Sequence, residues 1–390
     1  MRSLTSPTLL AIGGLLSLAA AMGIGRFVYT PILPFMVDGL NLSADDAGLI
    51  ASANFLGYLI GALFGAMRGL PGSARSWFLG ALFASAATTG LMGTVTSLET
   101  FLALRFIGGV ASALVLVFSS SLILDRLRTS GKPGLSAVHF AGVGSGIAFS
   151  ALLIALLALA NASSSDLWFA AGGASLLLLL ISANLVPAQS NVPTMEVPAP
   201  EQGPVSDKLQ LDGSLIRLIF AYGLFGFGYV ITATFVSVLA RTTPDLQPSE
   251  PYVWLIVGLA AAPSIFIWNQ ISERTGARRA IALACLTEAV GVSLTVLSQE
   301  PLIFRFGAAL LGGTFMGITA LGLVEARAHL AKLGTADPRR ILALMTASFG
   351  LGQMAGPWFA GELYTLTGSF EAPTLCAAAA LVVAALLVVR

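Results

Sequence analysis

Residues Leu9–Met36 read LLAIGGLLSLAAAMGIGRFVYTPILPFM. The stretch is apolar almost throughout and exceeds the ~20 residues that a helix needs to cross a bilayer. Arg26 lies inside it, and its guanidinium group stays charged at any physiological pH. A permanent charge within a membrane helix must be paired, solvated in a cavity or available to an anion, so Arg26 is the first candidate functional residue.

The whole chain has the composition of a membrane protein. Of its 390 residues, 56% are hydrophobic and 10% are charged, whereas soluble domains carry roughly 25% charged residues. Apolar runs of spanning length recur to the C-terminus, without the alternating pattern of an outer-membrane barrel. The sequence therefore predicts an all-α membrane protein, and the absence of a basic arm predicts no nucleic-acid partner.

Twelve transmembrane helices are predicted, and one long linker divides them into two six-helix bundles. The linker, 188–213, contains four prolines and has no helical period. It separates an N-terminal bundle, 1–187, from a C-terminal bundle, 214–390. The predicted helices are 8–36, 45–67, 76–95, 99–124, 135–159, 166–187, 214–240, 252–271, 279–298, 302–326, 340–362 and 372–389.

Lysines and arginines predict the orientation. If the N-terminus is cytoplasmic, sixteen of the twenty basic residues lie on the cytoplasmic side, and Arg241 alone lies in an outer loop. Arg26, Arg105 and Arg305 remain inside helices. This bias follows the positive-inside rule, so we expect both termini to be cytoplasmic and the protein to lie in a bacterial inner membrane.

The two halves repeat each other. Arg105-Phe106 in the fourth helix recurs as Arg305-Phe306 in the tenth, and Asp125 recurs as Glu325 at the same offset. Glycine pairs recur in the corresponding helices: Gly23 and Gly25 with Gly226 and Gly228, and Gly142 and Gly144 with Gly350 and Gly352. Parallel repeats of six helices predict a central site at the repeat interface, near the midplane.

Several strings resemble the major facilitator superfamily. The loop after the eighth helix contains Glu273-Arg-Thr-Gly-Ala-Arg-Arg279, which is similar to that superfamily's acid-Arg-x-Gly-x-basic loop. Arg105 with Gly108-Gly109 resembles its fourth-helix motif, whose arginine is often tied to proton coupling. Longer strings resemble the YbfB/YjiJ-like group: MGIGRFVYTPILP (22–34), YGLFGFGYVITATF (222–235), GGTFMG (312–317) and SFGLGQMAGP (348–357). The resemblance covers essentially the whole chain and implies secondary transport by alternating access.

Two departures from the superfamily pattern affect these expectations. Gly69 stands where the loop after the second helix should carry an acid, so gating would depend on the second half. The fifth-helix antiporter motif lacks its Gly-Pro pair, which occurs instead as Gly356-Pro357 in the eleventh helix. The second departure weakens an assignment as an antiporter.

The arginines within helices predict an anion site. Arg26, Arg105 and Arg305 lie on the helices that line the cavity in the implied fold, and Glu288 is the one acid near mid-membrane. Their surplus positive charge suits a carboxylate, sulfonate or phosphate, which a guanidinium binds bidentately. The alternative is structural pairing, since Arg105 and Arg305 lie close enough to the outer ends of their helices to reach outward.

An organic solute also needs apolar walls with a few polar anchors. We expect Tyr29, Tyr222, Tyr229 and Gln353 to contribute, because Tyr29 lies one turn from Arg26 and the other two tyrosines share a helix face. Tyr222 has the alternative role of a packing residue.

Proton coupling is predicted at two titratable residues. Glu288 lies near the middle of the ninth helix, where a carboxyl group could take up and release a proton. His139 begins the fifth helix and could sense protons as well. The alternatives are a structural pair for Glu288 and an interfacial position for His139.

Charges at the cytoplasmic helix ends predict an inner gate of salt bridges that break as the protein opens. The alternative is solvated positive-inside charge. The candidates are Asp125 with Arg126, Glu273 with Arg274, and Glu325 with Arg327.

The predicted function is proton-coupled transport of a small organic solute, most simply an anion, by a monomer surrounded by membrane lipid. The chain shows no P-loop, no cluster of metal ligands and no catalytic set, so we expect no cofactor, no metal and no enzymatic activity. Two alternatives remain, a proton-antiport exporter of drugs or metabolites and a membrane receptor or sensor that does not transport.

Overall fold

A computed structural model describes residues 6–67, 69–187, 212–333 and 338–389, which are almost entirely helical. The predicted twelve helices in two six-helix bundles are confirmed in this part of the chain. They are α1 (Pro7–Leu40), α2 (Ala44–Gly65), α3 (Ala74–Leu91), α4 (Leu98–Thr129), α5 (Ser136–Leu159), α6 (Ser164–Leu185), α7 (Gly213–Thr242), α8 (Glu250–Thr275), α9 (Ala277–Leu297), α10 (Pro301–Leu333), α11 (Pro338–Thr367) and α12 (Glu371–Val389). The predicted linker 188–213 lies almost wholly outside the described residues.

Ten of these twelve helices are long and apolar enough to cross a membrane. The other two are α3, which is 18 residues long and includes Arg75, and α11, which includes Arg339, Arg340 and Glu362. The predicted ends of α4 and α10 were too early, because both helices continue for one to two turns into charged sequence, to Thr129 and Leu333. A helix satisfies its backbone hydrogen bonds internally, so it can continue beyond the hydrocarbon into water.

The first helix, α1, widens in the middle. Ala19–Ile24 forms a π-helical stretch, where the N–H groups of Gly25 and Phe27 donate five residues back, over 2.9 Å and 3.1 Å. Such stretches are rare and occur frequently at functional sites.

The backbone after this stretch leaves the carbonyls of Gly25 and Arg26 able to accept hydrogen bonds from outside α1. Pro31 has no N–H, and the N–H of Thr30 donates to the Phe27 carbonyl (3.3 Å) instead of the Arg26 carbonyl one residue earlier. Regular α-helix resumes at residue 29. The Arg26 carbonyl can therefore accept a hydrogen bond from another helix, and the neighbouring Gly25 carbonyl does so as well.

The two bundles meet along two seams, α2 against α11 and α5 against α8. In the second seam a Cβ atom on Gly144 would overlap the backbone of Ala262, and one on Gly258 would overlap the backbone of Ala148. Glycine permits this close approach of helices in a membrane.

We call the face with Pro7 and Val389 the terminal face, and the face where α1 ends and α2 begins the far face. Hydrogen bonds between the bundles occur from the midplane to the far face. Thr30 Oγ1 donates to the Ala233 carbonyl (2.7 Å), and the Trp358 N–H donates to Ser52 Oγ (3.1 Å). The bundles are thus held together on the far side.

Candidate substrate site

Arg26 lies directly after the π-helical stretch, buried between the two bundles and 3% exposed. Its Nη2 donates to Gln353 Oε1 on α11 over 2.9 Å, a contact that joins the bundles. Its Nε has no hydrogen-bond partner within the described residues, and none of their carboxylates forms an ion pair with it. The guanidinium therefore keeps unused donors and an uncompensated charge.

Three aromatic rings surround this guanidinium and form what we call the aromatic cage. Arg26 Cζ lies 3.9 Å from the ring centroid of Tyr58, 4.7 Å from that of Phe55 and 5.3 Å from that of Phe27. A desolvated cation over an aromatic face gains roughly 2 kcal/mol. The cage stabilises the charge without neutralising it.

Arg105 holds the break in α1. Its Nη1 donates to the Gly25 carbonyl (3.1 Å) and its Nη2 to the Arg26 carbonyl (2.9 Å). These are the two carbonyls that the irregular backbone leaves available. Its Cζ also lies 5.0 Å from the Tyr29 ring centroid. Most of the Arg105 guanidinium is thus engaged with the backbone that presents Arg26.

The second bundle contributes an aromatic wall opposite Arg26. Gln353 Nε2 donates to the Tyr229 hydroxyl, and the Tyr229 ring stacks on Phe315 and Phe349 at centroid distances of 5.5 Å and 6.1 Å. Tyr222 stacks on the same Phe349 at 5.0 Å, and its hydroxyl donates to the backbone of α10. Three residues of the predicted site, Arg26, Tyr229 and Gln353, therefore form one hydrogen-bonded chain.

Tyr29 points away from this chain. Its hydroxyl donates to the Ala47 carbonyl on α2 (2.9 Å), and its ring stacks on Trp168 of α6 at 6.4 Å. It borders the site through Arg105 and contributes no free hydroxyl group to it.

Glu288 is fully buried in the second bundle on α9. Neither carboxyl oxygen accepts a hydrogen bond within the described residues. The Thr314 hydroxyl lies beside it but donates to the Leu310 carbonyl (2.7 Å). An unpaired charge is costly to bury, so the Glu288 carboxyl group is a second unpartnered polar group inside the described helices.

The structure does not bring Arg305 into this cluster. Its Nε donates to Ser249 Oγ (3.0 Å) and its Nη2 to the Pro248 carbonyl (3.2 Å), both in the short helix Pro244–Ser249 before α8. The first half has only three residues between α1 and α2. The repeated arginines Arg105 and Arg305 therefore meet different surroundings.

His139 is also separate from Glu288, because the two lie in different bundles. It is fully buried at the beginning of α5, and its ring packs on the Gly14 backbone and the Phe140 ring. Neither ring nitrogen makes a well-formed hydrogen bond within the described residues.

The predicted gate residues lie at the terminal face, and their described contacts stay within one bundle. Glu325 pairs with Arg278 of α9 (2.7 Å), while Arg327 is exposed. Asp125 pairs with Arg128 on its own helix (3.0 Å). Arg126 donates to the Pro187 carbonyl (3.3 Å). Glu273 and Arg274 are exposed at the end of α8.

An ion-pair cluster on the far face was not predicted from the sequence. Arg241 Nη1 donates to Asp38 Oδ2 (2.9 Å), which joins α7 to α1, and its Nη2 pairs with Glu250. Because α1 and α7 correspond in the repeat, Asp38 and Arg241 lie at equivalent far ends of these helices. Their opposite charges could have predicted the ion pair. The cage residues Phe55 and Tyr58 were also missed, although their spacing of three residues places them on one helix face.

Asp38→Asn is expected to weaken far-face closure, because it removes the carboxylate that joins Arg241 to the first bundle. In liposomes or cells, a cysteine placed at Ser52 should react faster with a membrane-impermeant maleimide in the Asp38→Asn background. Asp245→Asn, a change in the neighbouring loop, is the control. Equal reaction rates in all three backgrounds would contradict a closing role for this pair.

The sequence profile of a known family matches most of the chain. Residues 18–389 match a family described as the uncharacterised MFS-type transporter YbfB, where MFS is the major facilitator superfamily. The chain belongs to this family. The predicted family is thereby confirmed, and family and fold are those of transporters.

One relative and two solved structures extend the match. The MFS-type transporter YceJ of Bacillus subtilis strain 168 is 25% identical over 366 residues, covering 92% of this chain and 90% of that protein. The nucleoside transporter NupG superposes with a TM-score of 0.72 at 16% identity, over 98% of both chains. The human organic anion transporter MFSD10 superposes with a TM-score of 0.63 at 17% sequence identity, also over 98% of both chains. At these identities the structures show the fold.

Proposed function

We propose that this MFS transporter carries a small organic anion, with Arg26 as the residue that binds its acid group. The observation that carries the proposal is a buried guanidinium that has aromatic neighbours, unused donors and no described carboxylate partner. Burying a charge is costly unless it is paired, and a carboxylate, sulfonate or phosphate of the solute would supply the partner. The apolar part of the solute would pack against the aromatic rings of Tyr229 and Phe349.

The anion would compete with Gln353 for Arg26. A carboxylate accepts two parallel hydrogen bonds from a guanidinium, which are stronger than the single bond from a neutral amide oxygen. Arg26 belongs to the first bundle and Gln353 to the second. Displacement of the amide would therefore remove a bond between the bundles at the moment when the solute binds.

Solute binding also requires the bundles to separate from their present positions. The cavity beside Arg26, lined also by Phe27, Phe55 and Arg105, measures about 10 Å³, which is roughly the space for one water molecule. An organic acid would fit only after the α1 and α7 helices move apart. This requirement supports alternating access, with the far side closed in this conformation.

Glu288 is the proposed proton site. Glu288 lies in the same bundle as Tyr229, which is hydrogen-bonded to Gln353, which in turn is hydrogen-bonded to Arg26. Loss of a proton from Glu288 would place a negative charge inside the second bundle, and its field would alter how strongly Gln353 holds Arg26. Proton binding in the second bundle would thus be coupled to anion binding in the first.

The membrane orientation belongs to the same proposal. The bias of basic residues supports cytoplasmic termini in a bacterial inner membrane, so the far face would be the outer face. A monomer is sufficient, because all groups of the proposed site belong to one chain.

Gln353→Glu is expected to block anion binding, because the new carboxylate would pair with Arg26 and compensate its charge. The melting temperature of the purified protein should stay equal or rise, since a buried charge gains a partner. Transport should fall by at least about tenfold, the scale of a competing charge-assisted hydrogen bond. Transport at the wild-type rate would count against Arg26 as the anion site.

A thermal-shift screen of the purified protein tests the class of solute. Its ligands are small carboxylates, sulfonates and phosphates, neutral nucleosides, and cationic drugs of similar size. Stabilisation by acids alone is expected. Stabilisation by cationic drugs alone would favour the exporter, and stabilisation by nucleosides alone would show that an acid group is not what the site binds.

A further inference from the structure

A second cavity lies away from Arg26, at the far end of the seam between α5 and α8. It has a volume of about 440 Å³ and lies among α1, α5, α7 and α8. On its α5 side it extends from Ala151 to Leu159, which is about 12 Å of helix. Leu152, Leu156 and Leu159 line it and are largely exposed, so the cavity is a groove that opens toward the lipid.

Two buried polar groups in this groove have no hydrogen-bond partner in the part of the chain that the structure describes. Ser237 and Trp254 line it and are each 2% exposed. The Ser237 hydroxyl and the Trp254 ring N–H make no hydrogen bond within the described residues. A serine in a helix usually donates to the carbonyl four residues earlier, but that carbonyl, of Ala233, already accepts a hydrogen bond from Thr30. Two donors are therefore available to an oxygen acceptor.

Charged groups lie one turn farther out, at the end of α7 and the beginning of α8. Arg241 and Glu250 line the groove, and Arg241 also binds Asp38, whose side chain is 64% exposed. Arg305 lies at the edge, with its Cζ 5.8 Å from the ring centroid of Tyr252, another lining residue. The charges of Arg241 and Arg305 balance those of Asp38 and Glu250. The side chains of Asp38 and Arg305 are both partly exposed, so a ligand can reach them.

We propose that this groove binds one phospholipid of the far leaflet with a zwitterionic head group, a phosphate and a primary ammonium. The acyl chains lie along the α5 leucines, and an ester carbonyl accepts hydrogen bonds from Ser237 and Trp254. The phosphate lies near Arg305 and the ammonium near Asp38. From the bilayer surface inward, the groove presents charged groups, then hydrogen-bond donors and apolar side chains. A phospholipid presents the matching groups in the same order: a charged head group, ester oxygens and apolar chains.

The position gives such a lipid an effect on the transport cycle. The groove is shared by α5 of the first bundle and by α7 and α8 of the second, where the far side is closed. A lipid bound there contacts both bundles and stabilises this closed arrangement. The proposal does not rest on the anion site, because no group of the groove bonds Arg26, although the Trp254 ring lies 6.4 Å from the Phe27 ring of the aromatic cage.

The test is native mass spectrometry of purified, delipidated protein titrated with dioleoyl phosphatidylethanolamine or dioleoyl phosphatidylglycerol. Leu156→Trp fills the groove, and Leu177→Trp on α6 is its matched control, since the two leucines are 56% and 58% exposed. Ser237→Ala removes one donor and little volume. The wild type and Leu177→Trp are expected to bind one phosphatidylethanolamine with equal affinity.

For Leu156→Trp we expect at least about tenfold weaker binding, and for Ser237→Ala about fivefold, the scale of one neutral hydrogen bond. Phosphatidylglycerol should bind more weakly than phosphatidylethanolamine to the wild type. Absence of a bound phosphatidylethanolamine, or equal affinity in Leu156→Trp and Leu177→Trp, would overturn the site. Equal affinity for the two lipids would overturn the head-group assignment.

Discussion

Arg26→Lys is expected to reduce transport of the anion by about 10- to 100-fold, the scale of a lost charge-assisted hydrogen bond. Lysine keeps the positive charge but replaces a planar group that binds an acid bidentately with a single ammonium. It also loses the close packing of the guanidinium on Tyr58. The measurement is initial uptake of a radiolabelled solute, identified by the thermal-shift screen, in proteoliposomes.

Arg128→Lys is the matched control, since Arg128 is exposed at the terminal face and pairs with Asp125 on its own helix. It should transport at the wild-type rate, and both variants should elute and melt as folded protein. If Arg26→Lys transported as well as Arg128→Lys, the anion would have to be bound elsewhere.

Glu288→Gln is expected to abolish accumulation driven by a pH gradient while preserving exchange of the solute. Glutamine has nearly the shape of a protonated glutamate but cannot release a proton. With one proton coupled per solute, each unit of pH difference supports about tenfold accumulation in the wild type. In Glu288→Gln the internal concentration should only equilibrate with the external one.

Exchange provides the internal control for this variant. Counterflow of labelled against unlabelled solute needs no net proton movement, so it should continue in Glu288→Gln at a rate near that of the wild type. Glu300→Gln, at an exposed position before α10, should resemble the wild type in both assays. Undiminished gradient-driven accumulation in Glu288→Gln would exclude Glu288 as the coupling residue.

The fold could be predicted from the sequence because its main signals are local. Apolar length, the basic residues and the proline-containing linker each act within one segment, and the repeat then relates the segments. The π-helical stretch in α1 could not be predicted this way. It involves Pro31, which has no N–H to donate. It also involves Arg105, which lies 80 residues after Gly25 in the sequence and donates hydrogen bonds to the Gly25 and Arg26 carbonyls.

The candidate site could be predicted only in part, for a similar reason. Arg26 was identified because a charged residue among apolar neighbours can be recognised from the sequence alone. Its partner Gln353 comes from the other bundle, and a sequence pattern gives no distance between them. The repeat suggested equal roles for Arg105 and Arg305, but the short helix before α8 gives Arg305 partners that the first half lacks.

The central claim is that Arg26 requires an acid on the solute. The most direct measurement is counterflow in proteoliposomes with one organic acid and its carboxamide, which differ in charge but scarcely in shape. We expect exchange of the acid, and exchange of the carboxamide slower by at least about tenfold, the scale of a lost charge-assisted hydrogen bond. Exchange of both compounds at equal rates would contradict it.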